Sequence, residues 1–86
     1  MDYKRVKNDV YGNPRYVFHF WAFLSQAEQD AAPQGMNRIS YCYNLAIEKA
    51  RSIGGKKYTG KDFGGGIVIQ FYNINNTIKQ IENLAK

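Results

Sequence analysis

Apolar and polar residues alternate at the start of the chain with the period of an extended strand. From Tyr3 to Val10, Lys4, Val6, Asn8 and Val10 fall on one side, and Tyr3, Arg5, Lys7 and Asp9 on the other. The pattern is polar and suits an edge strand, where lysines discourage further pairing. Tyr11 to Pro14 is dense in turn formers. Arg15 to Leu24 then reads as a strong strand of aromatic and β-branched residues, so the two runs predict an antiparallel hairpin. Tyr16, Phe18, Phe20, Ala22 and Leu24 share one face of it, and Val17, His19, Trp21 and Phe23 the other. Both faces are apolar. Either both sides of the sheet are covered, or one presents aromatics to a partner.

The period then changes to that of helices. Ser25 with Glu28 has the spacing of a capping box, opening a short helix to about Ala32, before Pro33 and Gly35 break the chain. Asn37 caps a longer helix whose apolar stripe is Ile39, Cys42, Tyr43, Ala46, Ala50 and Ile53. Gly54 and Gly55 are its stop. Lys56 to Lys61 predicts a short strand, Asp62 to Gly65 a turn, and Gly66 to Tyr72 a strand with Ile67, Ile69 and Phe71 on one face. Asparagines at 73, 75 and 76 offer caps for a last helix striped by Ile74, Ile78, Ile81 and Ala85, with Leu84 alongside. This order predicts one α+β domain: a three- or four-stranded, mainly antiparallel sheet with two main helices on one face. The helices would meet Phe18, Phe20, Ile67, Ile69 and Phe71.

Charge and composition narrow the partners. The chain of 86 residues carries a formal charge of +5 and a pI near 9.4, which favours acidic partners. Its one cysteine, Cys42, excludes an internal disulfide and a cysteine-based zinc site, and on a helix stripe it reads as a small hydrophobe. The charged first residues and the short apolar run from Val17 to Leu24 give neither a signal peptide nor a membrane span, so a cytoplasmic location is the expectation. The pattern sets no oligomeric state.

Candidate chemistry is sparse. Gly55 to Lys61 has P-loop spacing as far as its lysine, but Asp62 stands where a Ser or Thr must hold magnesium. A helix precedes the motif and a strand follows, the reverse of a P-loop. The glycine-rich turn is read as a hairpin. The alternative is an anion-binding nest beside Lys56, Lys57 and Lys61. His19 stands alone without a visible nucleophile or orienting acid and is read as a packed or stacking residue. The acids show no pair at metal-ligand spacing. The expectation is a protein with no catalytic site and no cofactor. Its seven tyrosines, about half of them expected at the surface, and Trp21 belong to the contact vocabulary of interfaces. The expected contact set is Lys56, Lys57, Tyr58, Lys61 and Phe63 around the glycine turn, with Tyr11 and Arg15 from the first hairpin.

VKNDVYGNPRYVFHF, Val6 to Phe20, and GGKKYTGKDFGGGIVIQFY, Gly54 to Tyr72, resemble small proteins encoded by bacteriophages and other mobile elements. The resemblance to anti-CRISPR and other anti-defence factors implies a binder that blocks a host protein or nucleoprotein complex. It carries no assigned active site. A direct DNA- or RNA-binding protein using the same basic groups is the alternative. A double-stranded-RNA-binding domain is set aside, because this chain starts with strands and its last helix has no basic cluster at its N-terminus.

Overall fold

The computed structural model describes residues 1–70 and 73–86. The elements are β1 (Tyr3–Val6), β2 (Arg15–His19), a 3-10 turn (Phe20–Phe23), α1 (Gln26–Asp30), α2 (Arg38–Arg51), β3 (Gly55–Lys57), β4 (Gly66–Ile69) and α3 (Ile74–Leu84). The strands form one sheet in the order β1-β2-β4-β3, every neighbouring pair antiparallel. The expected α+β architecture, with two main helices, is the one observed.

The start signals act as the sequence predicts. The Ser25 hydroxyl accepts from the Glu28 amide while the Glu28 carboxylate accepts from the Ser25 amide, a complete capping box. Asn37 accepts from the Ser40 amide and Asn73 from the Asn76 amide, capping α2 and α3. α2 ends in a turn closed by Gly54 at φ +86°, a conformation that disfavours other residues.

Strand lengths depart from expectation. β1 stops at Val6 rather than Val10 because Asp9 organises the loop: its carboxylate accepts from the Tyr11 and Asn13 amides, and its own amide donates to the Asn13 carbonyl. β2 stops at His19 rather than Leu24. The Phe20 amide donates to the Gly65 carbonyl, and the chain coils into the 3-10 turn, which turns Phe20, Phe23 and Leu24 into the interior. The expected alternation of faces therefore ends at His19. β3 is three residues, not the expected Lys56–Lys61, and it begins at Gly55, which was read as part of the helix stop. β4 ends at Ile69; Phe71 and Tyr72 of the expected strand lie outside the described residues.

One sheet face carries the core. Phe18, Ile67 and Ile69 pack with Phe20 and Phe23 against Cys42, Ala46, Ile47 and Ala50 of α2 and Ile81 of α3. Ile39, expected in the stripe, is 61% exposed, and Ile47 is buried instead. Ile39 lies on the same side of the helix as Cys42 and Ala46 by the 3.6-residue period. Its exposure means that the first turn of α2 overhangs the core.

Candidate functional site

Among the described residues the other sheet face carries no helix. The cross-strand partners Lys4, Val17, Val68 and Lys56 form one row on it. Val17 is fully buried and Val68 nearly so, and the β3–β4 loop, residues 58–65, lies as a strap on this face beside Val17. The Phe63 ring stacks on His19 with centroids 4.1 Å apart. Asp62 receives the Tyr58 hydroxyl and pairs with Lys4 of β1 at 3.0 Å. The Tyr58 hydrogen bond, then Lys4, holds the Asp62 carboxyl below its usual range, and the same bond raises the Tyr58 phenol.

The glycine turn has a structural task in this strap. Gly65 has φ +70° and hands its carbonyl to Phe20, while the Gly66 amide donates to the Phe63 carbonyl. A Cβ on Gly66 would lie 2.3 Å from Val17 Cγ1. The hairpin reading accounts for these glycines. The segment that matched P-loop spacing is β3 and the start of the loop, with a strand after it. His19 is half-buried under Phe63, the stacking role expected of it.

Beside the strap lies a groove of about 280 Å³ lined by Asn8, Asp9, Val10, Tyr11, Arg15, Lys56 and Gln70. It is the point where the β1–β2 loop approaches the β3 edge. Asp9 fixes that loop. Besides the two backbone amides, its carboxylate accepts from the side chains of Asn13 at 3.2 Å and Gln70 at 2.9 Å. The Asn13 amide is the largest reason its carboxyl sits below the usual range, and Arg15 adds to the effect. The loop so held presents Val10 and Tyr11, which are 92% and 85% exposed. Arg15 donates Nε to the Lys7 carbonyl at 2.7 Å, which anchors the guanidinium at the groove.

The seven expected contact residues are thus divided. Tyr11, Arg15 and Lys56 come together in the groove. Lys57 alternates to the helix side, 5.8 Å from the Tyr43 ring of α2. Tyr58 and Phe63 are half-buried in the strap and spend their polar and aromatic contacts internally, and Lys61 is exposed in the same loop. Trp21 stands apart on the helix side, with Arg38 5.4 Å from its ring. Of the tyrosines, Tyr3 and Tyr11 are exposed and Tyr16, Tyr41, Tyr43 and Tyr58 half-buried, a smaller exposed share than expected; Tyr72 lies outside the described residues.

Sequence reasoning missed Val10, Asp9 and Gln70. Val10 was placed on a strand face, yet an apolar residue between Asp9 and a turn rich in Gly, Asn and Pro is a signal for a presented loop tip. Nothing in the sequence pairs Gln70 with Asp9 across 61 positions. Among the described residues no group of His, Cys, Asp and Glu could hold a metal ion, and no helix is long and apolar enough to cross a membrane.

No curated protein and no solved structure matches the chain. A family match runs over residues 1–86, to the family described as Staphylococcus phage terminal repeat-encoded protein TreK. Phage origin is what the resemblance of Val6–Phe20 and Gly54–Tyr72 implied, and the match supports it at that level; an anti-CRISPR or anti-defence type is a finer statement. Matched along its whole length, the chain belongs to the family of Staphylococcus phage terminal repeat-encoded protein TreK.

Proposed function

We propose that this phage protein is a non-catalytic binder that docks on a host protein belonging to a nucleic-acid-handling complex and blocks it, as anti-defence factors do. The observation that carries the reading is the Val10–Tyr11 tip. Two large apolar side chains are almost wholly exposed on a loop that Asp9 holds with bonds to two amides and two side chains. An exposed aromatic on a pre-ordered loop suits a protein pocket, because little entropy is lost when it inserts. Arg15 and Lys56 beside it steer approach to an acidic surface.

A direct nucleic-acid binder is the competing reading, and it needs several cations aligned along one track. Here Lys56 and Lys57 point to opposite sides of β3, and Lys4 is paired with Asp62. The proposal is tested by the affinity of the isolated protein for random duplex DNA and single-stranded RNA at physiological salt. It should be no tighter than the non-specific range of about 10⁻⁴–10⁻⁶ M. Nanomolar binding to either would replace the proposal with the nucleic-acid reading.

A further inference from the structure

We infer that the groove between the β1–β2 loop and β3 is a receptor for one carboxylate, an Asp or Glu side chain of the protein partner, held between Arg15 and Lys56. The inference rests on the protein-docking reading and specifies the chemistry of the partner at that site.

Three features select a carboxylate. The first is donor geometry. Arg15 is fixed through Nε to the Lys7 carbonyl, and its terminal nitrogens have no other hydrogen-bond acceptor among the described residues. Those two nitrogens form the end-on fork that matches two carboxylate oxygens. Lys56 is exposed and carries no ion pair or hydrogen bond among the described residues, so its ammonium is available as a second donor.

The second feature is charge. Arg15, Lys56 and Asp9 all line the groove, giving it a net charge of +1. Asp9 is committed to the Tyr11 and Asn13 amides and the Asn13 and Gln70 side chains, and the bonds from Asn13 and Tyr11 favour its ionised form. One negative charge balances the groove. A phosphate monoester, nearer two charges at neutral pH, would leave an excess close to the fixed Asp9 carboxylate. A nucleic-acid strand would bring further phosphates at short intervals to a groove with only these cations.

The third feature is size and setting. A groove of about 280 Å³ accommodates an acidic side chain and part of its backbone. Val10 and Tyr11 line it while staying largely exposed, so an acidic residue with an apolar neighbour complements both the charged and the apolar part of the lining.

The test is a titration of the isotope-labelled protein, followed by amide chemical shifts, with acetylated and amidated tri-glutamate, the corresponding tri-glutamine, and inorganic phosphate. Tri-glutamate should give saturable shifts at Arg15, Lys56 and Gln70 in about the millimolar range expected of one such contact. Tri-glutamine should give none. Lys56→Gln, which removes an exposed and unpaired charge, should keep the wild-type spectrum elsewhere and weaken tri-glutamate binding about tenfold or more. Arg15→Lys should also weaken it, by loss of the fork. Absence of saturable shifts, equal response to tri-glutamine, or phosphate binding about tenfold tighter than tri-glutamate would each overturn the inference. Because the titration uses no host partner, its failure is separable from that of the docking proposal, which rests on Tyr11.

Discussion

Gly66→Ala probes the packing of the strap over the helix-free sheet face. The new Cβ would lie 2.3 Å from Val17 Cγ1, 2.9 Å from Phe63 Cδ1 and 3.0 Å from the Phe63 carbonyl oxygen. Val17 is fully buried on β2 and, being β-branched, has few rotamers to escape into. Phe63 is held by its stack on His19. Relief therefore requires a shift of strap or strand, and overpacking of this kind costs about 1–3 kcal/mol. The lost flexibility of the unfolded chain offsets about 0.4–1 kcal/mol of that. A net loss of about 1–2 kcal/mol should move a urea midpoint down by roughly 1–2 M, given a slope of roughly 1 kcal/mol/M for so small a chain. Gly64→Ala is the control: a Cβ there meets nothing within 4 Å, and stability should stay within about 0.5 kcal/mol. Val17→Ala removes the atom that clashes. In that background Gly66→Ala should cost at least about 0.5 kcal/mol less, the lower end of coupling between touching residues. Equal stability of wild type and Gly66→Ala, or no coupling to Val17, would refute the packed strap.

Acid should loosen the same strap. Asp62 is held below its ordinary value of 3.8 by the Tyr58 hydroxyl and Lys4, so its contribution is present above that value and is lost as pH falls through the lower folded one. Asp9 and Glu28 are lowered too, Asp9 chiefly by the Asn13 amide and Glu28 by Lys49, and add to the loss in the same window. Urea midpoints should thus fall below about pH 4, and Asp62→Asn should make that fall shallower; an unchanged pH profile in the variant would contradict the linkage. Ile69→Ala, with Ile69 fully buried between sheet and helices, should cost about 2–5 kcal/mol by denaturation, and a loss under about 1 kcal/mol would mean that the sheet faces are assigned backwards. Tyr11→Ala should leave the urea midpoint within experimental scatter, since the ring is 85% exposed, while weakening host-protein capture; a large stability loss would make Tyr11 a structural residue.

Local signals were legible because each is carried by adjacent residues. Ser25, Asn37 and Asn73 accept from amides three positions on, and Gly54 and Gly65 take the positive φ that a stop and a tight turn require. The inward faces of Phe18, Ile67 and Ile69 were legible for the same reason, since period 2 and a buried partner leave one register. What could not be read is non-local. β2 ends at His19, where the chain coils into the 3-10 turn that buries Phe20 and Phe23, after one last in-register bond from the Phe20 amide to the Gly65 carbonyl; burial in the core overrides the strand propensity of Phe20 to Phe23. Val17 and His19 belong to the second apolar face, for which cover and display to a partner were both open, and the strap that lies on it comes from a loop distant in the sequence, with Phe63 on His19. Thr77 is not in the expected α3 stripe, yet it is fully buried, and its hydroxyl is satisfied there by donating to the Asn73 carbonyl four positions back. In the site, Arg15, Lys56 and Tyr11 were chosen by residue type, whereas the grouping depends on the sheet order that puts β3 beside β4 and β4 beside β2. Residue type alone also drew in Tyr58 and Phe63, whose partners Asp62 and His19 lie within the chain itself.

The proposed docking of the Val10–Tyr11 tip on a host protein can be measured. Its most direct measurement is capture from nuclease-treated staphylococcal lysate, with wild-type protein and Tyr11→Ala as paired baits at equal loading. A defined protein should be retained after nuclease by the wild type and reduced about tenfold or more with Tyr11→Ala, as loss of an interface anchor of about 1.4 kcal/mol or more requires. Loss of every retained protein on nuclease treatment, or equal retention by the two baits, would contradict it.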